Sequence, residues 1–144
     1  MRLRRRLQRG AALVEFALIS GLLFLILFGI IEVGLLLGDQ AQVGQSAREA
    51  ARAAAAGSTV EAADASAVSA GSGLHLTAAS VILEKSADGG STWAALGDTA
   101  AGTNNAAAGN LIRATVTYSH PLVTTYIFTG STKLLTSKMV MQRE

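Results

Sequence analysis

Residues 9–38, RGAALVEFALISGLLFLILFGIIEVGLLLG, decide how this chain is organised. Residues 16–31 carry no charge, and the 28 residues 11–38 are interrupted only by Glu15 and Glu32. About 20 predominantly apolar residues suffice to cross a bilayer, so the stretch predicts one membrane-spanning helix. Each ionised carboxylate inside it would cost roughly 2.5 to 3.5 kcal/mol on insertion scales. Two such residues in one span require an explanation.

Charge to either side sets the expected orientation. Five of the twelve Lys and Arg residues, Arg2, Arg4, Arg5, Arg6 and Arg9, fall within the first ten positions. Everything after Gly10 has seven basic and ten acidic side chains, a formal charge of −3. A basic tag before an apolar helix places the N-terminus in the cytoplasm and the rest outside. A nucleic-acid binder spreads positive charge over a folded surface; here it is confined to the tag, which argues against nucleic acid as a partner. A cleaved secretory signal is the competing outline, but the apolar run is too long and no good small-x-small site follows it. The chain has no cysteine, which removes disulfides, thiol catalysis and thiolate zinc sites.

Past the apolar run, DQAQVGQSAREAARAAAAG consists mostly of good helix formers and ends in Gly57, a C-cap candidate. A continuous helix over 11–56 would be roughly 70 Å long at 1.5 Å per residue. Arg48, Glu49 and Arg52 on its outer half read as a solvated face. STVEAADASAVSAG then reads as a second, shorter helix, with Ser58 and Glu61 as a capping box and Gly71 as its close.

Beyond Gly71 the period changes. LHLTAASVILEK, NLIRATVTYSHPL and TKLLTSKMVMQRE alternate and contain β-branched residues, as strands do. In the last of these, Leu134 and Leu135 fall on opposite faces. GDTAAGTNNAAAGN reads as a mobile loop by composition. SADGGSTW fits the Asp-box hairpin pattern, with Ser86, Asp88, Gly90, Thr92 and Trp93 as its structural residues. Asp88 can accept from turn N–H groups, the glycines permit positive φ, and Trp93 packs the turn. The pattern recurs in sialidase propellers, but this chain has no room for several blades, so the reading is a structural hairpin and not a sugar site. The expected fold is α+β. Residues 1–10 form a basic leader, 11–57 a transmembrane and extended helix, and 58–144 a small extracytoplasmic domain with a short helix and an antiparallel sheet.

The start of the span carries the functional signal. Arg9-Gly10 is followed by Ala11-Ala12-Leu13-Val14-Glu15-Phe16, with a glutamate at the fifth position after the glycine and an aromatic next to it. This resembles the class III leader of type IV prepilins. The run EFALISGLLFLILFGIIEVG, with QSAREAARAAAAG after it, resembles the TadE-like family of the Tad pilus system. The ending YSHPL…LLTSKMVMQRE is similar to that family's C-terminal close. The resemblance implies cleavage between Gly10 and Ala11 by a prepilin peptidase, and a Glu15 that pairs with the new N-terminus of a neighbouring subunit. A small residue at the cut lets a peptidase approach the backbone, and a carboxylate costly alone becomes tolerable beside an ammonium. Two departures are visible. Ala11 stands where other type IV pilins commonly have Phe, and the processed chain of 134 residues is longer than the short major pilins. The length favours a minor pilin or pseudopilin.

Glu32 is typical of TadE-like sequences. Gly21 and Gly29 lie within about 60° of it on the helix, while Gly34 and Gly38 make a GxxxG step on the other side. Small-residue faces on both sides suggest helical neighbours all round, making Glu32, Gly34 and Gly38 assembly candidates with Glu15 and Phe16. Neither the apolar turns before Glu32 nor VGLLLG after it offers a cation, so its carboxyl is expected to be hydrogen-bonded to a neighbour. The competing reading places it near the outer headgroups.

His75 and His120 are separate, with no cysteine or clustered acids to complete a metal site, and each reads as a strand-surface or turn residue. No nucleophile elbow or phosphate loop is present, so no catalytic, cofactor or metal residue is expected. The resulting reading is an inner-membrane, single-pass structural protein of a Tad-type pilus. Its expected partners are a prepilin peptidase, other pilins or pseudopilins, the pilus assembly platform and membrane lipid. The alternative is a permanently anchored protein whose head binds an extracellular ligand. An enzyme comes third, supported only by the Asp-box pattern.

Overall fold

In the computed structural model the described residues are 2–123 and 130–144, with side chains from Leu13 onward. The fold is α+β: a long N-terminal apolar helix, a short second helix and a four-stranded antiparallel sheet. Helix α1 (Arg2–Ala55) is continuous over 54 residues, and its helical backbone already begins in the basic tag. Its C-terminus is a Schellman close. Gly57, at φ 95°, donates its N–H to Ala54 O at 3.0 Å, and Ser58 N–H reaches Ala53 O at 3.1 Å. A side chain at Gly57 would be strained by that φ, and its Cβ would fall against the Arg143 guanidinium. Arg143 Nη1 in turn donates to Ala55 O at 3.1 Å, placing a cation where the helix dipole favours one.

Helix α2 (Val60–Ala70) is capped by Thr59, whose Oγ1 accepts from Ala62 N–H at 3.2 Å. This corrects the expected Ser58 cap: Ser58 belongs to the Schellman turn, and its carbonyl accepts from Asn104 instead. Gly71 closes α2 as expected, its N–H bonding Ala67 O. The strand expected from Leu74 is also corrected. Short 3-10 turns occupy Ser72–Leu74 and Ala78–Ser80, and β1 (Val81–Ser86) begins only after them. His75 sits in the left-handed region at φ 50°, and Ser80 N–H closes onto Thr77 O at 2.8 Å. Leu74 and Leu76 therefore reach the core from a bent chain and not through strand alternation.

The sheet order is β2-β1-β3-β4, with β2 (Ala94–Ala95), β3 (Leu111–Pro121) and β4 (Thr132–Gln142) pairing antiparallel throughout. Its inner face packs on α1. Ile112, Ala114 and Val116 of β3 are fully buried against Val43, Ala47, Ala50 and Ala54 of the helix. Alanine on the helix lets the sheet come close, and the larger side chains on the strands fill the space. Each fully buried Ile or Val is worth about 1.5 to 3 kcal/mol. Leu135 is buried and Leu134 is 67% exposed, the opposite-face placement that the sequence predicts.

Residues 97–110 are not a loose loop. Asn104, 3% exposed, donates to Ala54 O at 2.7 Å and Ser58 O at 2.9 Å, while its own oxygen accepts from Ala106 N–H. Composition pointed to mobility, but one buried amide ties this segment to the end of α1.

β4 runs in the same direction as α1. Gln40 reaches Thr136 O at 3.4 Å near its start, and Glu144 N–H reaches Ala55 O at 3.2 Å just past its end. The end of β3 and the start of β4 therefore lie at the N-terminal limit of the packed part of α1. Below that limit, residues 13–31 stand clear of the head, with only Ser20 and Gly29 partly covered.

Candidate functional site

The packed face of α1 begins with an acid. Glu32, Leu36, Asp39, Val43, Ala47, Ala50 and Ala54 recur at three- and four-residue steps, the spacing of a single helix face. Five of these seven meet the sheet as core or core-lining apolar side chains. Glu32, only 2% exposed, and the partly covered Asp39 bring carboxylates onto the same face.

Strand β3 supplies what lies opposite. Its inward positions are Ile112, Ala114, Val116, Tyr118 and His120, every second residue. His120 is 3% exposed, which corrects its reading as a surface or turn residue; His75 is exposed in a turn, as expected. His120 Nδ1 lies 2.6 Å from Asp39 Oδ2, and Nε2 lies 3.5 Å from Glu32 Oε1. The same Glu32 oxygen accepts from the Val123 backbone N–H at 3.2 Å. Glu32, which has no cation near it along the helix, thus meets a histidine and a backbone donor from its own head. These contacts offset part of the cost of burying the Glu32 carboxyl. Among the described residues no three His, Cys, Asp or Glu side chains are arranged to hold a metal ion.

The other assembly candidates occupy a different region. Glu15 and Phe16 lie on the bare part of α1, Phe16 being 69% exposed. Gly34 and Gly38 also face open space, with nothing within 4 Å of a Cβ built on either. The surroundings of Gly10 and the Ala11 side chain lie outside what the structure describes, although the backbone there is helical. Glu32 and the remaining candidates are therefore separated: the first is turned into the head, the others outward along the helix.

The hairpin residues do converge. Asp88 Oδ1 accepts from Ser86 Oγ at 2.6 Å and Thr92 N–H at 2.9 Å, and its Oδ2 accepts from Thr92 Oγ1 at 2.6 Å. Ser86 Oγ also accepts from Gly90 N–H at 2.8 Å. The Ser86 and Thr92 bonds hold the Asp88 carboxyl far below the usual carboxylate range. Trp93 stacks under the Arg113 guanidinium at 4.0 Å, and Arg113 is paired with Glu84 on the neighbouring strand at 2.6 Å. Both Asp88 carboxylate oxygens and Ser86 Oγ accept within the turn and close the hairpin.

Sequence reading missed Asp39 and His120. Both were accessible to periodicity: Asp39 lies seven residues from Glu32, and His120 keeps the parity of Ile112, Ala114 and Val116. Asn104, Thr59 and Arg143 carried no comparable signal, because each depends on which distant carbonyl or turn the chain brings to it.

No curated protein and no solved structure matches the chain. Residues 10–52, from Gly10 through the bare helix and most of its packed half, match the family model described as TadE-like protein, the family that this stretch resembles by its motifs.

Proposed function

We propose that the chain is a pseudopilin-like structural subunit of a Tad-type pilus, anchored in the inner membrane by α1 with its head outside the cytoplasm. The observation that carries this reading is the coincidence of three features on one helix. The family match begins at Gly10. Glu15 and Phe16 stand exposed on the next turns. The apolar residues that follow have the length of a bilayer and are left uncovered by the head. The chain is processed between Gly10 and Ala11 by a prepilin peptidase, and Glu15 then meets the new N-terminus of a neighbouring pilin. A head of this size on a processed chain of 134 residues suits a minor pilin better than a main fibre subunit.

Coexpression with a cognate prepilin peptidase, followed by N-terminal sequencing, tests this directly. The expected product starts at Ala11, and Gly10→Leu abolishes the cut because a branched side chain blocks approach to the scissile bond. An N-terminus after residue 38, or cleavage indifferent to Gly10→Leu, overturns the prepilin reading. A chain that keeps its arginines while the head binds a ligand would support the permanently anchored alternative.

A further inference from the structure

The uncovered part of α1 and the underside of the head meet at one level. Residues 13–31 extend roughly 28 Å at 1.5 Å per residue, close to the roughly 30 Å hydrocarbon thickness of a bilayer. The next residue is Glu32, and its carboxylate holds the Val123 N–H at 3.2 Å. Val123 is thereby fixed beside the point where the hydrocarbon would end. Its side chain is not in the core: it is 67% exposed. One strand away, Lys133 pairs with His120 and Leu134 with Ser119 across the β3–β4 ladder. Lys133 is exposed and Leu134 is 67% exposed. His120 itself lies between Glu32 and Asp39, which are about 10 Å apart along the helix. The polar zone of each leaflet is about 5 to 7 Å deep, so Lys133 and Leu134 fall within reach of it. The far end of the head differs. The segment packed at Gly57 is built from Asp98, Thr99, Thr103, Asn104 and Asn105.

We infer that the exposed residues beside Glu32 form a lipid-contacting foot, in which Val123 and Leu134 enter the boundary of the outer leaflet and Lys133 meets lipid phosphates. The inference rests on the reading of α1 as a membrane span. Continuity identifies the occupant: the layer that would enclose residues 13–31 ends at the level of Glu32, which holds the Val123 N–H. The foot holds the head at a set height on its stalk and screens the Glu32 carboxylate from bulk water.

The chain has no cysteine, so single labels can be introduced cleanly. Leu22→Cys, Val123→Cys, Leu134→Cys and Ala101→Cys, each in the full chain, are labelled with a nitroxide in vesicles of phosphatidylcholine and phosphatidylglycerol. Accessibility to oxygen, which partitions into lipid, is compared with accessibility to a water-soluble nickel chelate. The foot predicts several-fold higher oxygen-to-nickel ratios at Leu22, Val123 and Leu134 than at Ala101. If Leu22 is lipid-accessible while Val123 and Leu134 behave like Ala101, the foot is overturned and the membrane span survives. If Leu22 is itself nickel-accessible, the span fails and the foot with it. Protection of Val123 from both reagents points to a protein partner on this surface and also overturns the proposal.

Discussion

Asp39 and His120, 81 residues apart in sequence, meet at 2.6 Å on the line where the sheet first touches the long helix. Nearer the C-terminus of α1 the helix–sheet contact is alanine and valine against isoleucine, valine and leucine, which fixes distance but tolerates sliding. A histidine held by an aspartate on one turn and facing Glu32 two turns earlier defines one register. The polar contact supplies position where the apolar contact supplies most of the stability.

The Asp39–His120 interaction should appear as coupling. In a double-mutant cycle of Asp39→Ala and His120→Ala, head unfolding followed by the fluorescence of Trp93, the chain's single tryptophan, gives the stabilities. A coupling energy of about 1 to 3 kcal/mol is expected for a hydrogen bond made in this largely buried site. Additive single effects would mean that the 2.6 Å contact does not operate in solution.

The close approach of the sheet to α1 depends on small side chains. Ala50 is fully buried, so Ala50→Leu forces extra carbons into a filled space and should cost about 1 to 3 kcal/mol. Ala56→Leu, at an exposed position just past the end of the same helix, should change stability by less than about 0.5 kcal/mol. Equal effects in thermal unfolding would show that the alanine face does not set the helix–sheet distance.

The large divisions of this molecule are legible in the sequence because they rest on period and composition. The uninterrupted apolar run marks α1, alternation marks β3 and β4, and Gly57 and Gly71 close their helices where the sequence places them. The failures share a physical cause. Leu74 and Leu76 have the alternation of a strand, but the left-handed His75 and the Thr77–Ser80 turn bend the chain between them. Asn104 lies in a segment with the composition of a flexible loop, and its order comes from carbonyls 46 and 50 residues away. At Glu32 the cost of an isolated carboxylate is evident, and because its own helix offers no cation the sequence points to a neighbouring helix. The contacts come instead from the chain's own head: His120 on β3, where parity alone would have turned it inward, and the Val123 N–H just past that strand.

Two carboxyl groups of the head shift in opposite directions, so their contributions to stability should depend oppositely on pH. Asp88 is held low by Ser86 and Thr92. Its contribution is fully present above the ordinary unfolded value near 3.9, and is lost only as pH falls through its lower folded value. Asp88→Asn should therefore lower the melting temperature at neutral pH, and the deficit should persist through mild acid. Asp64 is pushed up, first by burial and then by the Asp98 charge. Its ionised form opposes folding above its folded value, so Asp64→Asn should raise the melting temperature at neutral pH. That gain should fade as acid protonates Asp64. Melting curves between about pH 3 and 8 separate the two; parallel profiles for both variants would refute the assignment.

Glu32 can act within its own chain or between subunits, and two substitutions with two readouts tell these apart. Glu32→Gln keeps an oxygen for the Val123 N–H and removes the charge, whereas Glu32→Leu removes both. If the carboxylate serves its own head, Leu leaves the Val123 N–H without this acceptor. It should then destabilise the helix–head contact by about 1 to 3 kcal/mol, with Gln costing less. Hydrogen exchange at the Val123 amide should accelerate in the same order, Leu more than Gln. Any loss of co-purification with other pilins should follow that loosening. If Glu32 instead works between subunits, co-purification should collapse in a variant whose Val123 amide stays protected. The 3.2 Å bond to Val123 and the His120 ring 3.5 Å away favour the first outcome. An assembly defect in Glu32→Leu with unchanged exchange at Val123 would mean that the intramolecular contact is incidental.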